Sequence, residues 1–186
     1  MVTIVLTPLL AISVIGLILS IVAHGAALLG LPQPLGAATW GLHVAGVVLG
    51  LPAVFVGYQL TSDFKRRHYW TAALRGCPQR MRWLLYGFFA YAIINFLTFI
   101  PFAPPRGEGG KANTPPVVFR GFSGHWMAFY SAYTAIFYSA IVVAKRDPAR
   151  RCPNGHPVSP SASFCEACGA AVSAEKAVVD LGDSRT

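Results

Sequence analysis

Four stretches of the chain are apolar for twenty residues or more: Thr3 to Leu29, Ala38 to Leu60, Met81 to Ile100 and Phe122 to Ala144. Crossing the hydrocarbon layer of about 30 Å at about 1.5 Å per helical residue takes about 20 residues, so each stretch predicts a membrane-spanning helix. Within each, small and polar residues recur every three or four positions, which gathers them on one helix face. The sets are Ser13, Gly16, Ser20, His24 and Ala27 in the first helix and His43, Gly46, Gly50, Ala53 and Gly57 in the second. In the third they are Gly87, Tyr91, Asn95 and Thr98, and in the fourth Gly124, Ala128, Ala132, Ala135 and Ser139. Such faces let membrane helices approach closely. An amide facing lipid without a partner costs several kcal/mol, so Asn95 is expected to point into the bundle.

The connections differ in character. Gly30 to Ala37 is short and holds Pro32 and Pro34, which makes the first two helices antiparallel neighbours, while Pro52 is expected to bend the second. Thr61 to Arg80 is basic and aromatic. It reads equally as a solvated loop or as a short lipid-docked helix capped by Ser62 or Asp63 and ending near Gly76. Cys77 is a lone thiol before Pro78, which suits the first turn of a helix. Pro101 to Gly121, rich in Pro and Gly, is expected to be an irregular outer loop. Trp126 and Tyr130 suit the outer aromatic belt.

Composition and charge add an orientation. The chain is 54% hydrophobic, only 12% charged, and carries a formal net charge of +8. Six of the 15 Lys and Arg residues lie between the second span and the start of the third, counting Arg82 at its second position; six follow the fourth, and three lie between the third and fourth. By the positive-inside rule the amino terminus, the second connection and the tail are cytoplasmic, in a plasma membrane. The basic excess is therefore a topology signal that favours anionic lipids, and nucleic acid is not an expected partner. A cleaved signal peptide is the competing reading of the first span; no Lys or Arg precedes it and its apolar run is too long, so a retained helix is expected.

All four cysteines fall on the predicted cytoplasmic side, where metal thiolates are favoured over disulfides. Cys152 and His156 stand at C-x3-H, and Cys165 and Cys168 follow at C-x2-C after a spacer of eight residues. Three thiolates and an imidazole match a closed tetrahedral zinc (Zn2+) site, with Gly155 and Gly169 suited to the tight turns. The run Phe164-Cys165-Glu166-Ala167-Cys168-Gly169 resembles the second turn of the zinc-ribbon superfamily. The first turn departs from that pattern, with Gly155 where a cysteine is usual and His156 one position later. The resemblance implies a structural knuckle used for protein contacts. The membrane part is similar to small four-helix bacterial membrane proteins that end in a ribbon, a likeness that carries no activity.

A second candidate lies in the membrane. Measured from the predicted outer helix ends, His24, His43, Asn95 and His125 lie within about 5 to 9 Å of depth, one shared layer. Neutral imidazoles on facing helices can ligate a b-type haem or another metal ion; a quinone or a proton step can use the same layer, and hydrogen bonding between helices is the structural alternative.

The expected architecture is an all-α, four-helix transmembrane bundle over residues 1–146, a small zinc ribbon over 147–172 and a disordered tail over 173–186. No catalytic signature is present, so the leading expectation is a non-enzymatic adaptor or assembly protein in the lipid bilayer. Its ribbon would dock a cytoplasmic protein, and homo-oligomerisation is open. The alternatives are a haem- or metal-binding redox protein built on the histidine layer, and a small transporter.

Overall fold

The computed structural model describes residues 2–62, 64, 66–102, 116–146, 152–156, 158 and 163–172. Five α-helices follow one another: α1 (Val2–Leu28), α2 (Gly41–Thr61), α3 (Tyr69–Ala73), α4 (Gln79–Phe99) and α5 (Pro116–Arg146). Four of them, α1, α2, α4 and α5, are long and apolar enough to cross a membrane, consistent with a membrane protein. The chain divides into two compact units, Met1–Ala144 and Lys145–Thr186.

α1 ends in a Schellman cap. Gly30 adopts φ +66°, its N–H donates to the Ala27 carbonyl at 3.3 Å, and the Leu31 N–H donates to that of Ala26 at 2.9 Å. A 3-10 turn, Gly36–Trp40, then leads into α2, which runs through Pro52 as one helix. α5 begins at Pro116, earlier than the sequence indicates, so residues 116–121 of the expected outer loop are helical. Proline suits that first position because its missing N–H has no partner in a helix's first turn. The remainder of the expected loop, 103–115, lies outside the described residues, as does the tail from 173.

α5 is the hub of the bundle. Of its apolar stretch 61% is buried, against 22%, 28% and 22% for α1, α2 and α4. The stripes on α1 and α2 face inward: Ser13, Ser20, His24 and Ala27 are buried, as are Gly46, Ala53 and Gly57. These stripes receive aromatic side chains as well as backbone. A Cβ added at Gly16 would overlap the Tyr130 ring, and one at Gly50 would come within 2.9 Å of the Tyr133 hydroxyl. Tyr130 and Trp126 are each 1% exposed, so they are core residues and not members of an outer belt. Their polar tips explain how a core accepts them. The Tyr130 hydroxyl donates to the Leu42 carbonyl at 2.8 Å, and the Trp126 indole N–H donates to His43 Nδ1 at 3.1 Å.

The second connection docks on α5. A 3-10 turn, Arg66–His68, precedes α3, and Ala72 and Ala73 at its end and Leu74 just beyond it are buried. The Gly76 N–H donates to Ser139 Oγ at 3.0 Å and the Cys77 thiol to the Ala135 carbonyl at 3.2 Å. Gly76 lies so close to Ser139 that an added Cβ would come within 2.8 Å of the Ser139 Cα. Arg75 stacks on the Phe64 ring at 5.3 Å and donates to the Leu60 carbonyl at the end of α2. Arg82 donates to the Cys77 carbonyl at 3.1 Å. Two cations of the basic loop are thus committed to free backbone carbonyls.

Candidate metal centre

Two turns of the same design build the carboxy-terminal site. In the first, the Cys152 carbonyl accepts the Gly155 N–H at 2.8 Å, and the Cys152 N–H donates to the His156 carbonyl at 3.0 Å. In the second, the Cys165 carbonyl accepts the Gly169 N–H at 2.8 Å, and the Cys165 N–H donates to the Ala170 carbonyl at 2.9 Å. Each turn needs one residue in the left-handed region, and a glycine supplies it: φ is +80° at Gly155 and +68° at Gly169. An antiparallel bridge between Phe164 and Ala171 closes the second turn at its base.

These turns bring the ligand atoms of Cys152, His156, Cys165 and Cys168 within 4.8 Å of one another. Cys152 Sγ lies 3.7 Å from Cys168 Sγ and 3.6 Å from His156 Nδ1. A disulfide requires sulfurs at about 2.05 Å, so the cysteines are free thiols converging on a common centre. Cys152 and Cys165 are buried with Val172, and Val158 packs on them, while His156 and Cys168 face outward. The group can hold a metal ion, and the four donors expected from spacing alone are the four brought together.

The electrostatics suit a cation. The Ala170 N–H and the Asn154 amide, the latter 3.3 Å from Cys168 Sγ, lower the Cys168 thiol from its ordinary 9.0 to about 6. The neighbouring Cys168 and Cys152 thiols raise His156. Asn154 is a contributor that spacing could not reveal, because an amide between two ligands looks like an ordinary turn residue.

The four residues expected to form an intramembrane layer each have a protein partner. His24 is buried, with Nδ1 2.7 Å from Ser123 Oγ and Nε2 2.6 Å from the Tyr91 hydroxyl. Ser123 donates its own proton to the Phe119 carbonyl at 2.6 Å, so it accepts from His24 Nδ1–H, and Nε2 accepts from Tyr91. His43 is exposed and accepts from Trp126 through Nδ1. His125 is half-buried, with Nδ1 3.1 Å from the Gly121 carbonyl and its ring edge-on to Phe96. Asn95 points into the bundle: its amide donates to the Arg120 carbonyl at 2.9 Å and its oxygen accepts from Arg120 Nε at 3.4 Å. Among the described residues, the only group of three or more His, Cys, Asp or Glu side chains placed to share a metal ion is the carboxy-terminal one.

The fold and the site together define a four-helix chain of membrane-spanning character with a Cys3His cluster. Comparison with known proteins finds no matching family model, no matching curated protein and no matching solved structure.

Proposed function

We propose that this protein is a membrane adaptor: a four-helix bundle in the plasma membrane, both termini cytoplasmic, whose zinc ribbon docks a cytoplasmic protein. The observation that carries the reading is the Cys3His geometry. Tetrahedral zinc with Zn–S near 2.3 Å and Zn–N near 2.05 Å separates two sulfurs by about 3.8 Å, and a sulfur from a nitrogen by about 3.6 Å. Cys152–Cys168 and Cys152–His156 have these spacings, 3.7 and 3.6 Å, and all four ligand atoms lie within 4.8 Å of one another. Four protein ligands complete that coordination and leave no position for substrate water, which favours a structural over a catalytic ion. A unit this small buries little core, so the metal would supply its folding energy. Phe164, 64% exposed beside the site, gives the ribbon an apolar contact for a partner.

The imidazoles of the membrane layer fit the packing role, since each is hydrogen-bonded within the bundle. The test has two arms. Metal analysis of the detergent-purified protein should give one zinc per chain, lost in Cys165→Ser. A photo-crosslinker at Phe164 in cells should give one discrete protein adduct, also lost in Cys165→Ser. One zinc without an adduct removes the adaptor and keeps the ribbon; absence of zinc removes both.

A further inference from the structure

An open groove of about 850 Å³ runs between α1 and α4. Its walls are apolar: Ile21 from α1, Trp83, Leu84 and Phe88 from α4, and Met127 from α5. Arg80 stands at one end, and the His24–Tyr91 pair at the other. From Arg80 to Tyr91 is eleven residues of helix, or about 16 Å. Half of a hydrocarbon layer of about 30 Å is about 15 Å, so the groove has the length of one leaflet's acyl chain.

Charge marks the end where a head group would sit. Arg75 and Arg82 are occupied by backbone carbonyls, whereas Arg80 is exposed and, among the described residues, has no hydrogen bond or ion pair. It lies in the first turn of α4, beside the basic connection. The polar groups at the far end are paired with one another: the Tyr91 hydroxyl lies 2.6 Å from His24 Nε2, and His24 Nδ1 lies 2.7 Å from Ser123 Oγ. That argues for a hydrocarbon tail there rather than the polar ring of a quinone. Between the ends, Gly87 keeps the floor low, and a Cβ added there would meet nothing within 4 Å.

We infer that this groove is a binding site for one anionic phospholipid, its phosphate on Arg80 and one acyl chain laid over Gly87 toward Tyr91. The inference rests on α1 and α4 spanning the membrane with the basic connection at head-group depth, and is independent of the ribbon. An unpaired cation at the surface of an anionic leaflet attracts phosphate, and the groove adds the chain contacts that turn attraction into a site.

Native mass spectrometry of the full chain from mixed micelles holding equal phosphatidylglycerol and phosphatidylcholine tests it. The wild type should retain one phosphatidylglycerol. Gly87→Leu, which fills the groove without touching the bundle, should lose retention of both lipids, with helix content and zinc content unchanged. Arg80→Gln should keep a bound lipid but lower the preference for phosphatidylglycerol about fivefold. Equal retention of the two lipids by the wild type, wild-type retention in Gly87→Leu, or retention of a prenylated quinone in place of phospholipid would each overturn the assignment. Extraction of the protein from membranes by alkaline carbonate would instead point to failure of the membrane reading itself.

Discussion

At the scale of single residues, the two kinds of cysteine behave oppositely. Burial raises the Cys77 thiol to about 11, and the nearby Arg82 charge and Ser139 hydrogen bonds only partly oppose this. Folding therefore favours its protonated form; that contribution is complete below the unfolded value and is lost as pH rises through about 11. Maleimide labelling at pH 8 should leave Cys77 untouched in folded protein and modify it in detergent-denatured protein. Cys168 has the reverse sign. Its thiolate contribution to the metal-free carboxy-terminal unit is complete above the ordinary 9.0 and is lost as pH falls through about 6. Iodoacetamide on the chelated protein should therefore modify Cys168 first at pH 7, with a labelling midpoint near 6. Asn154→Ala, which removes the amide from Cys168, should weaken metal affinity by about 10- to 100-fold, read by competition with a chromogenic chelator.

At the scale of elements, the glycines separate packing from open surface. Gly16 and Gly76 are closed in by Tyr130 and by the Ser139 backbone, so Gly16→Ala and Gly76→Ala should each destabilise the bundle by about 1–3 kcal/mol through overpacking. Gly87→Ala has free space and should stabilise α4 by about 0.5–1 kcal/mol through helix propensity. Thermal unfolding in detergent orders the three, and a Gly16→Ala protein as stable as wild type would refute the socket for Tyr130. Periodicity made the inward stripes legible, because spacing of three or four fixes a helix face. The same pattern could not say what fills the face, so Trp126 and Tyr130 read as belt residues although α5 lies at the centre. Burial of Ala72 to Leu74 was equally hidden: a short apolar run between arginines signals nothing until α5 is beside it. The cluster Cys152, His156, Cys165 and Cys168 was legible because local spacing within two turns encodes most of its geometry.

At the scale of the whole molecule, the chain comprises two compact units. The bundle is held by buried side chains and hydrogen bonds between helices, and the proposed zinc would hold the carboxy-terminal unit. Chelation should thus make the chain beyond residue 146 protease-sensitive, while the helical unit keeps its circular dichroism and melting temperature. Simultaneous melting of both would show that their stabilities are linked.

The central position of α5 also bears on how the protein is made. If the four long helices span a membrane, as proposed, a ribosome would deliver α1, α2 and α4 to it before the helix that completes them. Until then Ser13 lacks Thr134, His24 lacks Ser123, the Leu42 carbonyl lacks Tyr130, and Asn95 lacks the backbone of Arg120. In the early helices Ser13 keeps its bond to the Leu10 carbonyl and His24 its contact with Tyr91, whereas the Asn95 amide has its partners, among the described residues, only on α5. A nascent chain arrested before Pro116 would therefore lack every one of these contacts with α5, and completion of α5 would supply them together.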